Sequence, residues 1–405
     1  MKFLRSLAWL MCITAQLHAF DTAHFFRPPF LERGPWFEKT WLSALFVNVA
    51  DGKTHHARNC AGTKVPLLDI YGTSNIQAST HNVPDLDPTL SAIAAIPAMG
   101  NFSTVSLGAK EHMTELVFEG YQNFEYGLFI HAHLPVRWLS VSSIYLCDLS
   151  NPASNSAAWQ AFLQNYPAIL HEYGLSVYDY KEQSVGDFGI ALGWTKNYED
   201  FEHLDFLDMT FQVGVTTPTS KQLCPNHILA IPLGYDGHTG IFGKVDLSIG
   251  VCDWLTFSNT FSAIGFNKHT VQQRVKTDAS QTGVVLLTTA PVRESLGPIF
   301  SYEFLFKADH VVLGFSLDVA YQFQHQWNSS WQLCGTNQPY SFSDQRLQSW
   351  SMHTINAQLS YDFSDINHPC APTFGILVNV PVGGHRIFTP TMGGLSCALM
   401  TSWDW

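Results

Sequence analysis

Few residues of this chain are spaced for bond-making chemistry. Ser351 and His353 stand two apart, and a nucleophilic serine needs its base within hydrogen-bond reach. On an extended strand that spacing puts them on one face but roughly 7 Å apart, at about 3.4 Å rise per residue, so a pair forms only if a neighbouring strand supplies the partner. His131 and His133 repeat the spacing and could hold a metal across strands, although filling an interior is the plainer reading. Cys224-Pro-Asn-His227 and Asn367-His-Pro-Cys370 each pair one Cys with one His across two residues. A structural zinc site needs four ligands at closer, repeated spacing, so both motifs read as loop residues. There is no phosphate loop and no dinucleotide fingerprint. The expectation is a protein without enzymatic activity, metal or cofactor.

The elements that carry these residues are strands. In 311–323, Val311, Leu313, Phe315, Leu317, Val319, Tyr321 and Phe323 oppose Gly314, Ser316, Asp318, Ala320 and Gln322. A helix would scramble these sets, because its side chains repeat every 3.6 residues. The same split recurs in 126–136, 187–194, 206–215, 241–251, 352–363 and 373–380. These segments are long for a soluble sandwich, and their polar face is rich in Gly, Ala and Ser with few Lys or Glu. That suits the wet interior of a membrane-spanning barrel, whose tilted strands need about 9–11 residues. Composition agrees: 13% of the 405 residues are charged and 46% hydrophobic, yet mean hydropathy is only +0.02. Apart from the N-terminus no run of 18 or more apolar residues occurs, which argues against a helical membrane protein. The net charge of −12 disfavours nucleic acid, which wants a basic face.

Strands are predicted at about 40–50, 101–109, 112–121, 125–136, 138–147, 185–196, 206–217, 240–250, 254–265, 295–306, 310–323, 349–363, 371–382 and 391–403. The connections mostly alternate long and short, with turns at 110–111 and 137 in the short set and 122–124 in the long set. Alternation is poor in the second and third strands, and losing that pair leaves twelve. Long loops face outward and short turns face the periplasm in outer-membrane barrels. Trp41, Trp138, Trp194, Trp254, Tyr361, Phe363 and Phe374 then form an aromatic girdle at the periplasmic rim.

Residues 1–19 read as a secretory signal peptide, with Lys2 and Arg5 before a short apolar stretch. Seven cysteines follow it (Cys60, Cys147, Cys224, Cys252, Cys334, Cys370, Cys397), an odd number that leaves at least one thiol unpaired or bridged between molecules. From Leu395 the chain alternates apolar and polar through Leu399 and Trp403 to Trp405. This ending resembles the C-terminal strand that the assembly machinery of Gram-negative outer-membrane proteins reads. The resemblance implies an all-β fold, a transmembrane antiparallel up-and-down barrel of about 14 strands, with 12 as the alternative, in the bacterial outer membrane. Its implied partners are outer-membrane lipids and the assembly machinery; the oligomeric state stays open. Val213-Gly-Val-Thr-Thr-Pro-Thr219 is also similar to strand-end segments of outer-membrane transporters for hydrophobic or aromatic compounds.

Three regions follow: the leader 1–19, a segment 20–39, and the barrel 40–405. The predicted lumen-facing set is His131, His133, Asp187, Asp208, Gln212, Lys244, Asp246, Glu303, Asp318, Gln322, Asn356, Gln358 and Asp362. Acidic residues outnumber basic ones there, which predicts a mild cation preference if the pore is open. Two segments could enter the lumen. Residues 20–39 compare with the N-terminal hatch of the long-chain fatty-acid transporter family. In loop 148–184, Trp159, Phe162, Leu163 and Tyr166 share one helical face, the mark of a constriction or cap helix. The expected function is a porin-like channel for passive diffusion of small solutes. The alternatives are a plugged transporter of hydrophobic or aromatic compounds and a non-conducting surface protein whose large loops serve adhesion or recognition.

Overall fold

The chain is seen here in a computed structural model, which describes residues 42–97, 100–151, 156–199, 204–252, 254–312, 314–335, 340–363 and 370–402. The predicted leader, the segment 20–39, Trp41, Trp403 and Trp405 lie outside these residues. Among the described residues no helix is long and apolar enough to cross a membrane.

Twelve strands close a ring. They are β1 (Leu42–Thr54), β2 (Thr104–Asn123), β3 (Leu128–Asp148), β4 (Phe188–Glu199), β5 (Phe206–Thr217) and β6 (Gly240–Cys252). The other half is β7 (Leu255–Phe266), β8 (Ile299–Val312), β9 (Phe315–Gln326), β10 (Trp350–Asp362), β11 (Cys370–His385) and β12 (Thr391–Ser402). Each pairs antiparallel with its sequence neighbour, and β1 closes on β12 from Leu42↔Ser402 to Lys53↔Thr391. Closure satisfies every ladder and leaves no open edge, which the hydrocarbon of a bilayer requires. The complete sheet has fourteen strands because Ser74–Asn75 and Tyr180–Val185 add to its β2 and β3 sides.

The two predicted segments 101–109 and 112–121 are one strand, β2, and 125–136 and 138–147 are one strand, β3. The turns predicted at 110–111 and 137 are not there: the β2–β3 register runs from Val105↔Asp148 to Asn123↔Phe129 with one irregularity between Gly108 and Lys110. Gly108 serves close packing, since a Cβ there would stand 2.2 Å from the Tyr145 ring. The connection near 122–124 is consequently a short turn, with a 3-10 turn at Glu125–Gly127. It shares its rim with the other short connections and with the start of β1 and the end of β12.

Outward side chains form an apolar wall. Leu45, Ile130, Leu192, Val213, Ile241, Phe304, Val319, Ile376 and Leu395 are all large and exposed. Leu399 also faces outward, 38% exposed. At the short-turn rim Trp194 lies 6.0 Å from Phe211, and Phe315, Tyr361, Phe363 and Phe374 make successive ring contacts of 4.8, 4.5 and 5.7 Å. Trp138 departs from the predicted girdle, because its register partners are Thr114 and Gln183, high on the fused strands. The fused strands move it away from the short-turn rim where the imagined turn at 137 had put it.

The long rim carries a second, dry core. It joins Leu67, Leu68, Ile76, Leu90, Ile93 and Phe102 from the first loop to Val105, Leu107, Met113, Leu139 and Val141 on the upper halves of β2 and β3. Two helices complete it, α1 (Pro88–Ala94) and α2 (Ala157–Glu172), capped by Asp87 and Ser156 side chains on their first free amides. The sequence placed Trp159, Phe162, Leu163 and Tyr166 on one face of α2. Trp159 and Phe162 are fully buried and stacked at 5.3 Å, and Leu163 and Tyr166 pack beside them. The Trp159 indole donates to Asp148 at 3.0 Å, so α2 covers the long-rim end of β2 and β3, opposite the turn that joins them.

Candidate functional site: the lumen and its plug

Inward-facing side chains of β4–β10 line up in rows across the wall. One row runs Thr195, Thr210, Asp246, Thr260, Glu303, Gln322, Thr354 through successive register pairs. A second carries Asn197, Asp208, Ser248 and Ser258, and a third Gly193, Gln212, Lys244, Ser262 and Ser301. Asp246 is the hub of the first two: its carboxylate accepts from Ser248 at 2.8 Å, from Ser258 at 3.1 Å and from Thr260. Further round, Asp318 is paired in register with Lys307 and Gln358, and Asn379 donates to Asn356 at 2.7 Å. Asp362 lies at the short rim, opposite Thr373.

His131 and His133 point inward from β3. His131 stacks on Tyr121 at 4.1 Å, and its two ring nitrogens stand 3.4 Å from Gln212 Oε1 and 3.7 Å from Glu119. The structure adds inward charges that sequence reasoning missed, Glu111, Glu115, Glu119 and Arg137, all buried. They share the parity of Met113, Val117 and Tyr121, so the mixed face hid them. Arg137 and Glu115 form an ion pair at 2.6 Å.

The other omission is the occupant of the mouth. The β5–β6 loop, residues 218–239, folds inward. Leu233 O accepts from Arg137 Nη1 at 2.9 Å. Asp187 accepts from the backbone amides of Ser220 at 3.0 Å and Tyr235 at 2.5 Å, clamping both arms of the loop. Tyr235 packs on an apolar layer of Ala191, Phe242, Ile264 and Ile299 on the inner wall. His227 stacks on Tyr180 at 3.9 Å, and Arg274 ties Pro225 O at 2.8 Å to Tyr173 O at 3.1 Å and Leu286 O at 3.0 Å. One legible signal was the apolar run Ile228-Leu-Ala-Ile-Pro-Leu233 between two strands. The Val213–Thr219 segment leads directly into this plug, and Thr219 Oγ1 donates to Gly186 O at 2.6 Å.

A cavity of about 280 Å³ lies between the plug, the β7–β8 and β9–β10 loops and the upper ends of β8–β10. Ile228, Ile231, Val284, Leu296 and Ile299 line it together with Trp331 and Trp350.

Ser351, on the outer parity, does find a partner on the neighbouring strand: its hydroxyl lies 2.9 Å from Nδ1 of His385, while His353 instead meets the Tyr321 hydroxyl at 2.6 Å.

A closed ring, an apolar outer wall, a polar inner wall and loops long on one rim only define an outer-membrane β-barrel. No family model matches the chain, and no curated protein does. Solved structures with a similar outline include an outer-membrane channel from Pseudomonas putida F1 (TM-score 0.48, 10% identity, covering 92% of this chain and 100% of that one). Others are the CymD monoaromatic hydrocarbon channel (TM-score 0.33, 9% identity, 91% and 90%) and OprD of Pseudomonas aeruginosa (TM-score 0.31, 8% identity, 91% and 98%). At such identities and TM-scores the likeness assigns neither a family nor a solute.

Proposed function

We propose that the chain is an outer-membrane channel gated by its 218–239 loop, passing small and largely apolar solutes by diffusion. The carrying observation is the plug held at the mouth by Arg137 and Asp187. The dry walls of the adjoining cavity favour apolar solutes over the polar ones of an open porin. On this reading the bond between Ser351 and His385 is a cross-strand contact and the chain catalyses no reaction.

Single-channel recording in planar bilayers tests the proposal. Wild-type protein should show at most brief openings, and replacing residues 222–234 by a short Gly-Ser linker should give a steady current. Steady current from the wild type would overturn the gate in favour of a porin. Silence from both proteins would favour a surface-recognition role for the loops.

A further inference from the structure

The mouth cavity has a cationic end that the plug leaves unused. We propose that it binds a small amphipathic monoanion, a single carboxylate on an aromatic or short aliphatic body. This rests on the plug reading and narrows its solute.

The size fits a small ligand, since about 280 Å³ lies just below the usual range of roughly 300–1,000 Å³ for ligand sites. The walls described above supply the apolar body's contacts. The polar end is built from Arg386, Arg346 and Tyr71. Arg386 stands at the end of β11, with Nη1 donating to Ser349 O at 2.9 Å and Nη2 to Gln348. Its Nε is buried and has no acceptor among the described residues. A buried guanidinium N–H without an acceptor is costly, and a carboxylate oxygen is its strongest complement. Arg346 is fixed from behind by Asp344, with Nε 3.0 Å from Oδ1, and lies 4.9 Å over the Trp331 ring. The Tyr71 hydroxyl stands within electrostatic reach of both guanidinium groups and of the Asp344 carboxylate.

The acids of the same cavity are already engaged. Asp236 accepts from the Leu223 amide at 2.7 Å and from Gln273 at 3.4 Å. Glu294 accepts from the Trp331 indole at 2.8 Å and faces His238 at 3.5 Å. The lining's buried side-chain atoms without a partner among the described residues are Arg386 Nε and His227 Nδ1; at the cationic end the vacancy is the arginine's, a donor, which favours an anion over an ammonium there.

The test uses the full chain in detergent and the fluorescence of its tryptophans, two of which line the cavity. Three probes share one body: phenylacetate, 2-phenylethanol and 2-phenylethylamine. Phenylacetate should bind at least roughly tenfold tighter than the alcohol, and Arg386→Gln should remove that advantage while leaving the alcohol's Kd unchanged. Tyr71→Phe should weaken phenylacetate selectively too, and it keeps the test open if the arginine variant fails to fold. Equal binding of acid and alcohol, or tighter binding of the amine, would overturn the proposal. Binding is read without transport, so a channel that proves ungated would sink the gate and leave this result standing.

Discussion

The inner wall of the barrel is two different surfaces. On β5–β7 the inward side chains are Asp208, Thr210, Asp246, Ser248, Ser258 and Thr260, half-buried or buried, and the Asp246 carboxylate gathers the hydroxyls of Ser248, Ser258 and Thr260. On the upper halves of β2 and β3 they are Val105, Leu107, Ala109, Leu139 and Val141, which are fully or nearly fully buried under the loops. Both surfaces obey the same two-residue period. Parity fixes the direction of a side chain, while what lies over the strand decides whether that direction is wet or dry.

The largest effect that separates the surfaces is loss of the dry core. Phe162 is wholly buried and touches no lumen row. Phe162→Ala should cost about 3–5 kcal/mol of cap stability, as for large aromatic truncations in cores. Limited proteolysis should show the long-rim loops cleaved more readily while the barrel keeps its heat-modifiable migration on gels. If barrel and cap came apart together, the two surfaces would be one cooperative unit and the distinction would fail.

On the wet surface the corresponding change is smaller. Asp246→Asn leaves the hub's shape and removes its charge, weakening bonds from Ser248, Ser258 and Thr260 by about 1–3 kcal/mol in all. In the protein lacking residues 222–234, the reversal potential should shift towards lower cation preference, because charges lining a pore bias permeation by sign. Asp187 belongs to a different experiment. Its carboxylate holds the plug, so neutralising it should act on gating. An unchanged reversal potential in Asp246→Asn would remove this residue from the conducting path.

The strand pattern was legible wherever one face met lipid and the other water. β5 and β6 were found to within two residues and β9 in its central stretch, since Val213, Ile241 and Val319 face outward and Gln212, Lys244 and Asp318 inward. It failed on β2 and β3 for a physical reason. Above the rim the outward face no longer meets lipid: Ser106 is buried and its hydroxyl bonds Asp69. The inward face no longer meets water, so both faces lose the contrast on which the period depends, and one strand reads as two fragments. The α2 helix was legible from its own apolar face. Of the plug only the apolar run 228–233 was legible, because its hold consists of backbone groups: Leu233 O, Ser220 N and Tyr235 N carry no residue signature. Arg137 and Asp187 are far from that loop in sequence, and only the closed barrel brings them to it.

The subtlest difference between the surfaces is their response to pH. His238 ends the plug loop, wholly buried, with Nδ1 2.7 Å from Asn267 O and Nε2 3.5 Å from Glu294. Burial pulls its imidazole down, but Glu294, the Asn267 carbonyl and Asp236 outweigh it and lift the pKa above the ordinary histidine value. His269, 5.7 Å away, is a second titratable ring that faces it. A histidine with a raised folded-state pKa stabilises fully below its unfolded value, about 6.5, and the contribution fades as pH rises through the lifted value. The plug should therefore be held firmly in acid and loosen towards alkaline pH. Burial also raises the pKa of Asp236, the carboxylate that helps to hold this imidazole. Recording between about pH 5 and about pH 9 should show closed times shortening as pH rises through that window, and His238→Gln should flatten the dependence. Opening on acidification, or the same slope in the variant, would place the pH response in some group other than this imidazole and leave plug and lumen alike in their indifference to it.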